Sequence, residues 1–168
     1  ALPIELVSEN TNRPTVLVID DNTDIRQYER TLLQDEYIVL EAADGKEGLA
    51  VALKEVPDLV ICDVMMPVMD GLEFTKQLKT NMATSHIPVI MLTAKNLEEH
   101  RAEGYEHGAD SYITKPFHSK VLLARIENLL RQRQLLKHLY QGTKETEKEI
   151  SESLLEDRDK QLDRKSVV

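Results

Sequence analysis

Several short apolar runs in this chain end in residues that could do chemistry. Asp20 and Asp21 follow Thr15-Val16-Leu17-Val18-Ile19, and Asp63 follows Leu59-Val60-Ile61-Cys62. Thr93 and Ala94 follow Val89-Ile90-Met91-Leu92, and Thr114-Lys115-Pro116 follows Ser111-Tyr112-Ile113. If these runs are parallel neighbours, three carboxylates, a hydroxyl and an ammonium meet at one rim. Three close carboxylates repel one another and rise in pKa unless a cation sits among them. A hard divalent ion suits such an oxygen set: Mg²⁺, with Mn²⁺ as the alternative, held by one or two carboxylates plus phosphate. With the ion and Lys115 neutralising an incoming phosphate, one Asp could act as a nucleophile and form an aspartyl phosphate. Phosphoryl transfer needs mainly positioning and charge stabilisation, and these groups supply both.

The elements that would position these groups alternate along the chain. Apolar runs at 15–20, 38–42, 58–62, 88–92 and 111–114 read as strands. Helical spacing follows each of them, at 24–36 (Ile25, Tyr28, Leu32, Leu33), 45–56 (Leu49, Ala52, Leu53), 71–79 (Leu72, Phe74, Leu78), 97–107 and 119–136 (Val121, Leu122, Ile126, Leu129, Leu130). Uninterrupted apolar strands alternating with helices predict an α/β fold with a parallel sheet covered on both faces. The flavodoxin-like doubly wound (βα)5 arrangement, strand order 2-1-3-4-5, is the natural expectation, with ligands bound outside the carboxyl ends of the strands. Beyond residue 137 the chain becomes dense in charge, with sparse apolar residues at Ile150, Leu154, Leu155 and Leu162. It reads as a C-terminal helical extension, broken near Gly142. Residues 1–13 read as a linker, 14–136 as the folded domain and 137–168 as a charged connector or tail. A coiled coil in that tail is the lesser alternative, because three clean heptads are missing.

Composition narrows the function. With 30 acidic residues against 21 basic ones and a formal net charge of −9, the chain is not built to grip nucleic acid by itself. One cysteine, Cys62, excludes an internal disulfide and fits a reducing compartment. No apolar run approaches the ~20 residues of a membrane span, and the start lacks the pattern of a signal peptide. The expectation is a cytoplasmic fragment without membrane contact, a span elsewhere in a longer parent being left open.

Val18-Ile19-Asp20-Asp21-Asn22, then Cys62-Asp63-Val64-Met65-Met66-Pro67-Val68-Met69-Asp70-Gly71, then Leu92-Thr93-Ala94, then Tyr112-Ile113-Thr114-Lys115-Pro116-Phe117 occur in order at the expected strand ends. Together they resemble the signature blocks of response-regulator receiver domains of two-component systems, over roughly residues 14–133. The resemblance implies Asp63 as phosphoacceptor, Asp20 and Asp21 as the acidic pair at Mg²⁺, and the Met65 backbone carbonyl beside Asp63 as a further metal ligand. It implies Thr93 as the switch hydroxyl, Lys115 as the partner of a phosphoryl oxygen and Tyr112 as the aromatic switch. It also implies a cis Lys115–Pro116 bond and signalling through the face formed by 97–107, 111–114 and the helix after 119. The phosphodonor would be a phosphohistidine of a histidine kinase, in cis or in trans. The isolated domain would be no turnover enzyme, only self-phosphorylating and self-dephosphorylating at Asp63.

Plainer readings stand beside these. Asp21 or Asn22 could cap a helix, Asp63 could cap a turn, and Lys115 could be a surface lysine. Thr93 could be a satisfied strand-end hydroxyl, and Tyr112 could simply pack. Cys62 and the Met65–Met69 cluster are better read as apolar packing than as soft-metal ligands. The histidines at 86, 100, 107, 118 and 138 show no zinc spacing and read as surface or loop residues. A haloacid-dehalogenase-type phosphatase would also use an aspartyl phosphate, but it wants Asp-x-Asp after its first strand. A degenerate receiver used only for docking or dimerisation is the alternative function, and the intact acidic, hydroxyl and lysine set weighs against it. Leu2-Pro3-Ile4 resembles the end of a kinase ATP-binding domain. The flanks together resemble hybrid histidine kinases of the Bacteroidetes type, in which a receiver precedes an AraC-type DNA-binding output domain. Homodimerisation is a further expectation, and residues 166–168 could be non-native.

Overall fold

The computed structural model describes residues 12–94 and 108–166, with side chains through 158. Strands β1 (Thr15–Ile19), β2 (Ile38–Ala42), β3 (Leu59–Asp63), β4 (Val89–Ala94) and β5 (Ser111–Lys115) form one parallel sheet in the order β2-β1-β3-β4-β5. Helices α1 (Thr23–Leu33), α2 (Gly45–Glu55) and α3 (Gly71–Thr80) follow the first three strands, and α4 (Ser119–Ser166) follows β5. The doubly wound expectation is therefore met. The predicted helix at 97–107 and the leader at 1–11 lie outside the described residues.

Alternation along the strands divides the core. Leu17, Ile19, Val60, Cys62 and Met91 pack with Ala52 of α2 and with Phe74 and Leu78 of α3. Val16, Val18, Leu59, Ile61 and Ile90 pack on the other face with Leu33 of α1 and with Leu122 and Ile126 of α4. Because side-chain period in a strand is two, one short run feeds both layers. Each of the first three helices begins at a side-chain cap: Asn22 accepts from the Asp24 and Ile25 amides, Asp44 from Glu47, and Asp70 from Glu73. Asn22 thus caps α1, one of the plainer readings.

Two expectations need correction. In α1 the buried face is turned by about one residue: Tyr28 is exposed and Glu29 is buried. Ile25, Glu29 and Leu33 share the i, i+4 stripe, so the carboxyl was carried inward by spacing alone. In α4 the chain does not break near Gly142, because the helix continues to Ser166. A glycine inside a helix costs only ~1 kcal/mol relative to alanine. Thr143 and Thr146 further satisfy the carbonyls of Leu139 and Gly142 through their hydroxyls. By contact density the chain separates into residues 1–130 and 131–168.

The end of α2 is locally strained. Val56 takes a left-handed conformation (φ 44°, ψ 68°), with its N–H bonded to the Ala52 carbonyl. A β-branched residue there costs ~1–2 kcal/mol that glycine avoids. Val56→Gly should therefore raise the free energy of unfolding by about 1 kcal/mol, after the greater chain entropy of glycine is set against it. Urea denaturation checks this, and a destabilised variant would show that the Val56 side chain, although exposed, contributes more than its backbone costs.

Candidate functional site

The carboxyl ends of β1, β3 and β5 are adjacent in effect because β1 and β3 pair directly and β4 joins β3 to β5. Asp20 comes just past β1, Asp63 ends β3 and Lys115 ends β5. Carboxylate oxygens of Asp20, Asp21 and Asp63 lie within 4.8 Å of one another. Lys115 Nζ stands between two of them, 3.4 Å from Asp63 Oδ2 and 3.6 Å from Asp20 Oδ2. Asp20 is buried, Asp63 is partly covered and Asp21 is exposed, so the cluster opens to solvent on one side.

Local bonds fix the acidic side chains. Asp20 Oδ1 accepts the Asn22 amide at 2.9 Å, and Arg26 Nη1 donates to the Asp20 carbonyl at 2.6 Å. Asp63 Oδ1 accepts the Met65 amide at 3.4 Å. Asp20 Oδ2 is buried with no hydrogen-bond partner. Desolvation raises the pKa of Asp20, and the Asn22 amide opposes that rise. The neighbouring Asp63 charge raises it further, while the Lys115 ammonium lowers it. Among the described residues Lys115 is the one lysine set against the three carboxylates, so the charges do not balance.

Gly71 lets the loop after β3 close tightly. A side chain at this position would run into the Asp63 carbonyl, and the Gly71 amide donates to the Val64 carbonyl at 2.9 Å. The start of α3 is thus packed against the backbone that carries Asp63, which only a residue without Cβ permits.

The remaining predicted residues fall as follows. Thr93 is buried in β4, and among the described residues its hydroxyl meets the Ala94 carbonyl at 3.5 Å. Tyr112 is buried in the core layer shared with α2 and α3. The Lys115–Pro116 bond is cis. Met65 is exposed beside Asp63. Met66 and Met69 pack against the core, while Met65 and Val68 do not, so the packing reading holds for half of that loop. Cys62 is fully buried, and desolvation raises its thiol well above the ordinary range, which fits an inert core residue. His86, His118 and His138 are exposed, whereas His100 and His107 lie outside the described residues.

Sequence reasoning missed Glu29. Its carboxyl is buried, with Oε2 unpartnered. Burial pushes it up to about 8, and the negative charges of Asp20, Asp63 and Glu41 act in the same direction against Lys115. It also missed the cation pair beside Asp20: Glu41 accepts from Arg30 at 2.8 Å and lies 3.6 Å from Arg26. The i, i+4 relation to Ile25 and Leu33 was the available signal for Glu29. For Glu41 there was none, because its partners come from α1 while it lies on β2.

Comparison with known proteins agrees with this geometry. A family model described as the response regulator receiver domain matches residues 16–127. Histidine kinase P4 of Formosa agariphila is 39% identical over 154 residues, 91% of this chain but 11% of that protein. The transcriptional regulatory protein ResD of Bacillus subtilis is 42% identical over 124 residues, 73% of this chain and 50% of the regulator. This chain therefore spans half or less of either relative. The crystal structure of the chemotaxis response regulator CheY4 of Vibrio cholerae superposes with a TM-score of 0.66 at 39% identity, covering 70% of this chain and 99% of that one. Sheet order, rim chemistry and relatives agree, and the chain belongs to the response regulator receiver domain family.

Proposed function

We propose that this receiver accepts a phosphoryl group on Asp63 from a phosphohistidine of a histidine kinase and so controls an output domain. The observation that carries this reading is the placement of Lys115 Nζ between Asp20 and Asp63 in a three-carboxylate cluster. A carboxylate oxygen of Asp63 attacks phosphorus, the phosphorus–nitrogen bond to the donor imidazole breaks, and its electron pair returns to the ring nitrogen. Lys115 would leave its carboxylate contacts to pair with a phosphoryl oxygen. Among the described residues Thr93 has a long 3.5 Å contact to give up as its hydroxyl turns toward the new group. Tyr112 would respond to that movement as the second switch residue. Hydrolysis of the acyl phosphate would then be slow and self-catalysed, with no turnover of a small substrate.

The donor set fits Mg²⁺. Asp20 Oδ2 is buried without a hydrogen bond, has the Lys115 ammonium only at 3.6 Å and faces the Asp63 and Asp21 charges, so it has room for a further cation. Asp20, Asp21, Asp63 and the Met65 carbonyl would hold the ion, with Mn²⁺ as a substitute. When bound, it supplies charge neutralisation for the transferring phosphoryl oxygens.

The alignment to histidine kinase P4 takes in 91% of the chain, against 73% for ResD. The similarity to the kinase therefore reaches into the flanks, which supports a receiver cut from a hybrid sensor kinase. On this reading residues 1–13 link from a kinase domain, 14–136 form the receiver, and 137–168 lead toward an output domain, of AraC type in the hybrids it resembles. Cytoplasmic location follows from that role. Among the described residues no helix is long and apolar enough to cross a membrane.

Incubation with acetyl phosphate and Mg²⁺ should add one phosphoryl group by intact mass, and EDTA should suppress the gain. If folded protein gains nothing with the ion present, while a beryllium-fluoride phosphoryl mimic still binds, the receiver accepts only from its own kinase. If neither reacts, the acceptor reading fails and the docking alternative stands.

A further inference from the structure

From 131 to 158 helix α4 exposes a stripe of large apolar side chains. Leu135, Leu136, Leu139, Tyr140, Leu154 and Leu155 are each 59–67% exposed, and Ile150 is 55% exposed. At ~100° per residue, all but Leu155 fall within an arc of about 140°. The opposite side carries Lys137, Gln141, Lys148, Glu152 and Glu156. A single helix of this kind is marginal in water and gains most of its stability from a partner on its apolar face.

Two features of the sequence say what that partner is. The first is symmetry about Glu145. Counting outward, Leu136 matches Leu154, Tyr140 matches Ile150, and Leu135 matches Leu155, while Leu139 alone meets a polar residue, Ser151. The inner seam, 136-140-143-147-150-154, steps by four, three, four, three and four. This spacing reads the same from either end and follows the heptad seam of a coiled coil. The second feature is charge. Residues 131–144 contain four basic residues and no acidic one, whereas 145–158 contain six acidic and two basic. Laid parallel, two copies would place like-charged halves together. Laid antiparallel, they place the basic half of each against the acidic half of the other, and the same reversal brings the matched apolar residues face to face.

We infer that residues 131–158 bind the same segment of a second copy of this chain in an antiparallel pair centred on Glu145. Leu136 of one copy packs on Leu154 of the other, and Tyr140 on Ile150. Thr143 and Glu147 form a polar middle that weakens the pair but fixes its register, because any shift would set apolar residues against them.

Single Leu136→Cys and Leu154→Cys variants of the full chain test this, since the native Cys62 is buried and does not compete. Under mild oxidation the mixture of the two should yield a disulfide-linked pair, and each variant alone very little. Sedimentation of the unmodified chain should show a dimer whose dissociation constant rises about tenfold from low salt to 1 M as the half-to-half attraction is screened. The Leu136→Glu/Leu154→Glu variant should be monomeric with an unchanged receiver, because both positions are exposed. Efficient self-linking by each cysteine variant alone would mean a parallel pair and overturn the proposal. So would a monomeric unmodified chain, or a dimer that survives in the double-glutamate variant.

Discussion

Asp63→Asn is expected to take up no phosphoryl group from acetyl phosphate under conditions that label the unmodified chain fully. The amide keeps the shape of the carboxylate but lacks the anionic oxygen that attacks phosphorus, so the effect is a loss of the reaction rather than a slowing. Lys115 would retain its contact to Asp20 at 3.6 Å, so the site should not collapse. Removing one of three like charges within 4.8 Å also relieves repulsion. The variant should accordingly melt no lower than the unmodified chain in EDTA and should gain less from added Mg²⁺. Intact mass and thermal melts with and without Mg²⁺ check both halves. Labelling of the variant at the original level would place the acceptor elsewhere, and peptide mapping after borohydride reduction would find it.

Replacing the buried carboxyl under the site should have the largest effect on stability. Glu29 ionises near 4.5 in the unfolded chain and is held up to about 8 in the fold, first by desolvation and then by its acidic neighbours. Below pH 4.5 the group is protonated in both states and opposes nothing. As pH climbs from 4.5 toward 8, unfolding releases its proton, so the fold progressively loses stability. Above pH 8 the loss levels off on the order of 5 kcal/mol. Glu29→Leu puts an apolar side chain of similar size on the same inward face of α1, which relieves this loss. The variant should exceed the unmodified chain by several kcal/mol at pH 8 and by far less at pH 4. Chemical denaturation across that range in EDTA measures it, with the difference between the two proteins isolating Glu29 from Asp20. A constant difference at all pH values would mean that the Glu29 carboxyl titrates in the fold as it does in the unfolded chain. A less stable variant would show that the carboxyl is needed for packing.

The sheet was legible because its signals are local. Each strand is a short apolar run, four of the five with chemistry at the end, so the rim could be read from the runs, while the strand order was expected from the doubly wound class. Asp20, Asp21, Asp63, Thr93 and Lys115 were legible for the same reason, since each sits where a strand stops. Other features were not. The inward face of α1 depended on which of two adjacent phases packed on the sheet, and packing placed Glu29 inside and Tyr28 outside, against polarity. The break expected at Gly142 did not occur, because one glycine in a long run costs less than ending the helix. The Arg26–Glu41–Arg30 cluster joins α1 to β2, a relation absent from any one segment. Sequence by itself determined the strand–helix alternation, the residues at the rim and the charge halves of the last helix, since these depend on residue type and short spacing. Tertiary structure alone decided how close the three carboxylates come, that Lys115 lies between two of them, and that an unpartnered glutamate is buried near them, since these depend on how separate elements meet.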